Sequence, residues 1–267
     1  MRTIVSKING ILNFQNIDEH QSRNKSTIWC IKEADKIYNW KDFDDISIYT
    51  GDIGDGHILA YTKSNYDYIN MVPDFWFDCW VEAEINDYNE QIRLIDKAGK
   101  IKPEINKAGW IGVVHDTVEC RKKLFQIGNE NKEICDITNM KWNGQHKIVS
   151  LQELVQTYSI LIDVEGYGYS GRLKSLLWSH RPVLLVDRPY KEYFFEHLQP
   201  WVHYIPVKRD LTDLIEKVIW CLNNYDESII IAENAYNFSK QYLTREACFA
   251  QWNKVILNQI QFKAHNV

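Results

Sequence analysis

SILIDVEGYGYSGRLKSLLWSHRPVLLVD, Ser159 to Asp187, sets two apolar runs around three glycines, Ser170, Arg172, Lys174 and a short leucine-bearing segment. Apolar runs of this length, bounded by turn residues, read as buried strands, and Leu173, Leu176 and Leu177 stand at helical spacing. Strand, glycine-rich turn, helix and strand together are the unit of a mostly parallel α/β sheet. In open sheets of that kind, ligands bind beyond the carboxyl ends of the strands. Gly166, Gly168 and Gly171 permit positive φ and a close approach of a ligand to the backbone. Ser170 is placed to cap the following helix and to donate to a phosphate oxygen, and the helix N-terminus offers unpaired N–H groups to an anion. Arg172 can hold a diphosphate through two parallel hydrogen bonds, and Lys174 adds charge. The plainer alternative is a strand–turn–helix connection whose cations are solvated. The spacing is not that of a dinucleotide fingerprint, and no G-K-[ST] of a P-loop occurs.

The flanking sequence extends the pattern. DDISIYTGD (Asp44–Asp52) and GHILAYTKS (Gly56–Ser64) read as strands on either side of the turn GDIGDG. PDFWFDCW is aromatic and tightly spaced, and residues 82–100 are helical or looped, with KAGKIKP (97–103) as a break. KAGWIGVV is a strand, VECRKKLFQIG starts a helix, and Ser150 is an N-cap before SLQELVQTY. From Asp210, the first cap candidate, the chain supplies at least two amphipathic helices. A division follows: an N-terminal domain over 1–103, a second over 104–240, and a terminal helix over 241–267.

Composition narrows the functional classes. With 31 Lys and Arg against 36 Asp and Glu, the chain has no cation excess to displace counterions, so nucleic acid is not expected as a partner. The six cysteines form no C-x-x-C pair, which points to free thiols and no structural metal site. No run of 18 apolar residues is present, so no membrane span is expected, and MRTIVSKINGILNFQN lacks the apolar stretch of a signal peptide. A cytoplasmic location is the resulting expectation. Ten Trp and 15 Tyr suit a cleft that handles sugars or bases, although many must be core.

Three strings resemble the CAP10-type glycosyltransferases, glycosyltransferase family 90: DVEGYGYSGRLKSLLWSHRPVLLVD, EYFFEHLQPWVHYIPVKRDLTDL and IAENAYNFSKQYLT. PWVHYIPVKRDL (Pro200–Leu211) is the most specific of these. That family includes protein O-glucosyltransferases acting on EGF repeats and fungal capsule xylosyltransferases. The resemblance implies a GT-B-like architecture of two Rossmann-like domains facing a cleft, with the C-terminal helix crossing back. It implies an inverting, metal-independent transfer of glucose or xylose from a UDP-sugar, a co-substrate, to a hydroxyl of a glycan or protein, with no cofactor. The donor would be held by Gly166, Tyr167, Gly168, Tyr169, Ser170, Gly171 and Arg172. Gly112 and Arg121 in WIGVVHDTVECRKKLF would add to it, although Ile111 and Val113 replace the arginine and serine of the family's R-G-S-type turn.

The resemblance also implies an aspartate after a short strand as the base, and Asp52 in IYTGDIGDG falls there, with Asp55 as its competitor. An acceptor hydroxyl must lose its proton as it attacks the sugar carbon, and a carboxylate within hydrogen-bond reach can take it. Without a D-x-D metal motif, Arg172 and the helix N-terminus must neutralise the leaving diphosphate. Trp76, Asp78 and Trp80 are candidates for an acceptor wall or, equally, for core. His203 reads as a packed histidine, and His115 as a cleft or loop residue. The alternative function is a module of the same fold that binds nucleotide sugar or glycan without turnover.

Overall fold

The computed structural model describes residues 2–17, 21–140 and 149–265. The chain forms two compact units: one of Met1–Tyr88, Pro189–Glu196 and Tyr242–Val267, the other of Asn89–Arg188 and His197–Gln241.

In the first unit, β1 (Arg2–Ile8) and β2 (Ile11–Ile17) form an antiparallel hairpin. Its turn is Asn9-Gly10, both at positive φ, with the Asp42 carboxylate accepting from both amides at 2.7 and 2.9 Å. Asn-Gly adopts that mirror-image turn with little strain, and its twist matches the strands. Helix α1 (Gln21–Tyr38) follows, then β3 (Phe43–Tyr49), antiparallel to β1, and β4 (Leu59–Ala60), parallel to β3. The sheet is therefore mixed, in the order β2-β1-β3-β4. GHILAYTKS is not one strand. It breaks at Tyr61, which is fully buried with its hydroxyl on Thr27, and resumes as β5 (Thr62–Lys63) in a separate sheet.

The second unit is the parallel α/β body expected from the opening stretch. Its elements are α2 (Tyr88–Gly99), β6 (Ile105–Gly112), α3 (Glu119–Glu130), β7 (Cys135–Asn139), α4 (Leu151–Thr157), β8 (Tyr158–Asp163), α5 (Leu173–Leu176) and β9 (Val183–Val186). With β11 (Ile205–Val207), the strands run in the order β11-β9-β8-β6-β7, all parallel. Every residue of β8 and β9 is buried, as befits strands covered on both faces. Ser150 caps α4 as expected: its hydroxyl accepts from Glu153 N–H at 3.1 Å while its own N–H donates to the Glu153 carboxylate at 2.8 Å. Ser150→Ala should cost about 1 kcal/mol. A lower denaturant midpoint at unchanged slope would show it, and an unchanged midpoint would refute it.

Three expectations are corrected in this unit. KAGKIKP lies inside it rather than between domains, because α2 is pinned there: Arg181 donates to the carbonyls of Gly99 (2.8 Å) and Ile101 (2.5 Å). Helix α5 is a single turn of four residues, and Arg172, not Ser170, precedes it as the cap residue. Helix α6 (Leu214–Asn223) starts after Asp213, while Asp210 instead closes a turn on Thr212.

The chain then completes the first unit. Strand β10 (Lys191–Glu192) pairs antiparallel with β5, and after α7 (Tyr225–Tyr242) comes α8 (Arg245–His265). Helix α8 buries Cys248, Trp252, Val255 and Ile256, its Asn253 accepts from Trp40 Nε1 at 2.7 Å, and its Phe249 meets Trp29 at 5.8 Å. Arg245 donates to the Phe77 carbonyl and the Asp87 carboxylate at 2.8 Å each.

Candidate functional site

Asp163 is the last residue of β8 and is fully buried. Its Oδ1 accepts from Ser170 Oγ at 2.7 Å and Arg172 Nε at 3.3 Å, and its Oδ2 accepts from Arg188 Nη2 at 2.6 Å. Arg188 arrives just beyond β9 and Arg172 from the glycine turn, so the parallel register delivers both to one carboxylate. The carbonyls at the end of β6 fix the remaining orientation. Ile111 O accepts from Arg172 Nη1 at 2.8 Å, and Val113 O accepts from Arg121 Nη1 at 2.9 Å. Arg121, on α3, also donates through Nε to Glu165 O at 2.9 Å. The guanidinium carbons of Arg121 and Arg172 stand 5.5 and 5.4 Å from the Trp110 ring centroid. Arg209 grips the Glu165 carboxylate with two bonds of 3.1 and 2.7 Å.

Three guanidiniums thus hold the two carboxylates while Arg121 holds backbone carbonyls beside them, which sets four cations against two anions. Burial pushes the Arg121 pKa down to about 10, with Arg172's charge adding to it, so Arg121 stays protonated at neutral pH. Burial also lowers Arg172, against the opposing pull of Asp163. Arg172 Nη2 and Arg188 Nη1 are buried and have no hydrogen-bond partner among the described residues. A buried donor left unmatched costs about 1–3 kcal/mol, more on a charged group. Two of them on neighbouring guanidiniums form the feature of this unit most in need of an anion.

The glycine turn takes part as its residue types suggest. Gly168 has φ +96, and a Cβ on Gly166 would lie 3.3 Å from Arg121 Nη2. Gly166 N–H donates to Tyr169 O at 2.7 Å, Tyr167 is exposed, and Tyr169 is buried. Ser170 differs from expectation: its buried hydroxyl is committed to Asp163, so it orients the hub carboxylate and caps no helix. Gly112 ends β6 between the two carbonyls that hold the arginines. Sequence reasoning missed Asp163, Glu165, Arg188 and Arg209. The available signal was an acid or arginine closing each apolar run, at the carboxyl ends where such sheets bind ligands.

In the first unit, Asp52 follows β3. Its Oδ1 accepts from Arg23 Nη1 at 2.7 Å, its carbonyl accepts from Thr62 Oγ1 at 2.8 Å, and its side chain is 23% exposed. Arg23 lies over the Phe75 ring at 4.9 Å, a residue the sequence did not single out. Asp55 accepts from the Ser64 amide (2.9 Å) and hydroxyl (2.7 Å). Burial works against its charge, but the Ser64 donors, with Tyr190 and Lys63, hold its carboxyl below the ordinary value. Asp55 is an exposed turn tie with both oxygens on Ser64, whereas Asp52 is half-buried and makes its side-chain hydrogen bond through Oδ1 to Arg23.

Trp76 is buried core, packed edge-on against half-buried Trp80 at 4.5 Å, so it forms no acceptor wall. Asp78 accepts through its carbonyl from Tyr88 N–H (2.9 Å) and Arg245 (3.1 Å). His203 is packed, its Nδ1 accepting from Gln199 N–H at 3.0 Å, and His115 is an exposed loop residue on Thr117. All six cysteines are free thiols. Among the described residues, no group of three or more His, Cys, Asp and Glu could hold a metal, and no helix is long and apolar enough to cross a membrane.

Protein O-glucosyltransferase 2 of Danio rerio is 32% identical over 162 residues, which are 57% of this chain and 32% of that protein. Uncharacterized protein 179R of Invertebrate iridescent virus 6 is 35% identical over 209 residues, 70% of this chain and 17% of that one. The chain therefore spans less than a third of the length of either relative. Among solved structures, Anabaena Alr3699/HepE in complex with UDP-glucose aligns over 62% of this chain and 44% of its own, at 11% identity and a TM-score of 0.41. The sequence pattern of glycosyl transferase family 90 matches residues 54–263, and the chain belongs to that family.

Proposed function

We propose that the chain is an inverting, metal-independent glycosyltransferase that moves glucose or xylose from a UDP-sugar to a hydroxyl of a glycan or protein. The observation that carries this reading is the pair of unmatched buried donors, Arg172 Nη2 and Arg188 Nη1, within a cluster holding two surplus positive charges. A sugar-linked diphosphate carries two negative charges and planar oxygen pairs that guanidinium forks match. As the bond from the anomeric carbon to the diphosphate breaks, its electron pair moves onto the leaving UDP. Fixed, largely buried cations stabilise that charge without having to reorganise. Asp52 takes the proton of the attacking hydroxyl, which frees the oxygen lone pair for the anomeric carbon.

Arg172→Ala should weaken UDP binding by about 1.5–3 kcal/mol, the usual worth of a charge-assisted contact. Arg172→Lys should recover only part of this, because an ammonium lacks the fork. Titration calorimetry with UDP measures both, and unchanged affinity in Arg172→Ala would remove the pocket assignment. Release of UDP from UDP-glucose or UDP-xylose over hours separates a transferase from a module that binds without turnover.

A further inference from the structure

We propose that Tyr66 and Tyr68 form a stacking platform for the acceptor, and that the acceptor is a carbohydrate. The proposal rests on the transferase reading above and names its acceptor class.

Tyr66 is 47% exposed and sits at φ +56, a left-handed conformation uncommon for a bulky residue. Such strain persists only where the surroundings impose it, and it concentrates at binding sites. Here Tyr68 N–H donates to Tyr66 O at 2.8 Å, and the two rings lie within 11° of parallel with centroids 6.2 Å apart. At that separation near-parallel rings are offset rather than eclipsed, so neither ring fully covers the face of the other.

The platform is fastened to the turn that carries the base candidate. Thr62 donates to the Asp52 carbonyl at 2.8 Å, Lys63 pairs with Asp67 at 2.9 Å, and Ser64 is tied to Asp55. Tyr66 is four residues beyond Thr62, at most about 14 Å of extended chain. That is within the span of a short oligosaccharide whose terminal hydroxyl lies at Asp52.

The surroundings fit a sugar. The Lys191 ammonium stands 5.8 Å from the Tyr66 centroid, Asn65 is exposed beside it, and burial with Tyr66 and Glu196 nearby raises the Tyr68 hydroxyl, keeping it a neutral O–H. A pyranose carries weakly positive C–H groups on its flat face, which suit the negative face of an aromatic ring. Its rim hydroxyls need both donors and acceptors, and the lysine, amide and phenol provide them.

Tyr66→Asn removes the ring and is tolerated at positive φ, whereas Tyr66→Phe keeps the ring. Two readouts are compared: binding of xylotriose and maltotriose by saturation-transfer NMR, and UDP release from UDP-glucose and UDP-xylose with each trisaccharide present. Tyr66→Asn and Tyr68→Ala should bind a trisaccharide about tenfold more weakly, the upper end for one aromatic contact. Tyr66→Phe should bind as the wild type does, with UDP affinity unchanged in all three. The proposal is overturned if the wild-type chain binds neither trisaccharide, or if Tyr66→Asn binds as tightly as the wild type. If trisaccharide binding follows the expected pattern while the wild type releases no UDP, the platform stands and the transferase reading fails.

Discussion

Asp52→Asn is expected to abolish most sugar transfer, by about 10²–10⁴-fold, while leaving UDP affinity intact. The amide keeps the size of the carboxylate and an oxygen for Arg23, which lies 2.7 Å from Asp52 Oδ1, so the turn should hold its shape. What it lacks is any capacity to accept the acceptor's proton. Initial rates of UDP release with acceptor present, read beside calorimetry with UDP, separate loss of chemistry from loss of binding. Asp55→Asn is the control. Because both Asp55 oxygens are held by Ser64, that change should lower stability more than rate. Transfer by Asp52→Asn at the wild-type rate would remove the base assignment.

The largest effect on stability is expected at Asp163. Its side chain is fully buried and accepts from Ser170, Arg172 and Arg188. Asp163→Leu leaves those guanidiniums as buried cations with no counterion, a change that costs about 3–5 kcal/mol. For a chain of this size, that corresponds to a fall in melting temperature of roughly 6–20 °C. Thermal melts followed by circular dichroism measure it. A variant melting within a degree or two of the wild type would show that the carboxylate is not the hub described.

The parallel half of the fold was legible because β8 and β9 are apolar without alternation, the mark of strands covered on both faces. The mixed sheet of the first unit was not, since β3 alone does not reveal that its partner β1 runs antiparallel. Residue Tyr61 hides a similar ambiguity: burial of its ring splits what reads as a single strand into β4 and β5. At the site, Arg172 and Arg121 could be named from the glycine turn and the family pattern. Arg188 could not, because it reaches Asp163 across 25 residues of sequence and only the register of β8 beside β9 brings them together. Asp52 lies just ahead of the stretch matched by the family, so its candidacy rests on the resemblance of the strand and turn around it and on its place after β3. Tyr66 was passed over because nothing local announces its left-handed backbone. The aromatic cluster that did stand out, around Trp76, is core for the reason aromatics usually are: it buries a large area.

The return of α8 to the first unit bears on how the protein is made. A ribosome emits residues 1–88 long before Trp252, Val255 and Ile256, which fill the same core, have been synthesised. The second unit draws only on residues 89–241, so it can reach its native packing while the earlier segment still waits with apolar surface uncovered. Residues 242–267 therefore close a core that residues 1–88 began, after the second unit between them has been synthesised.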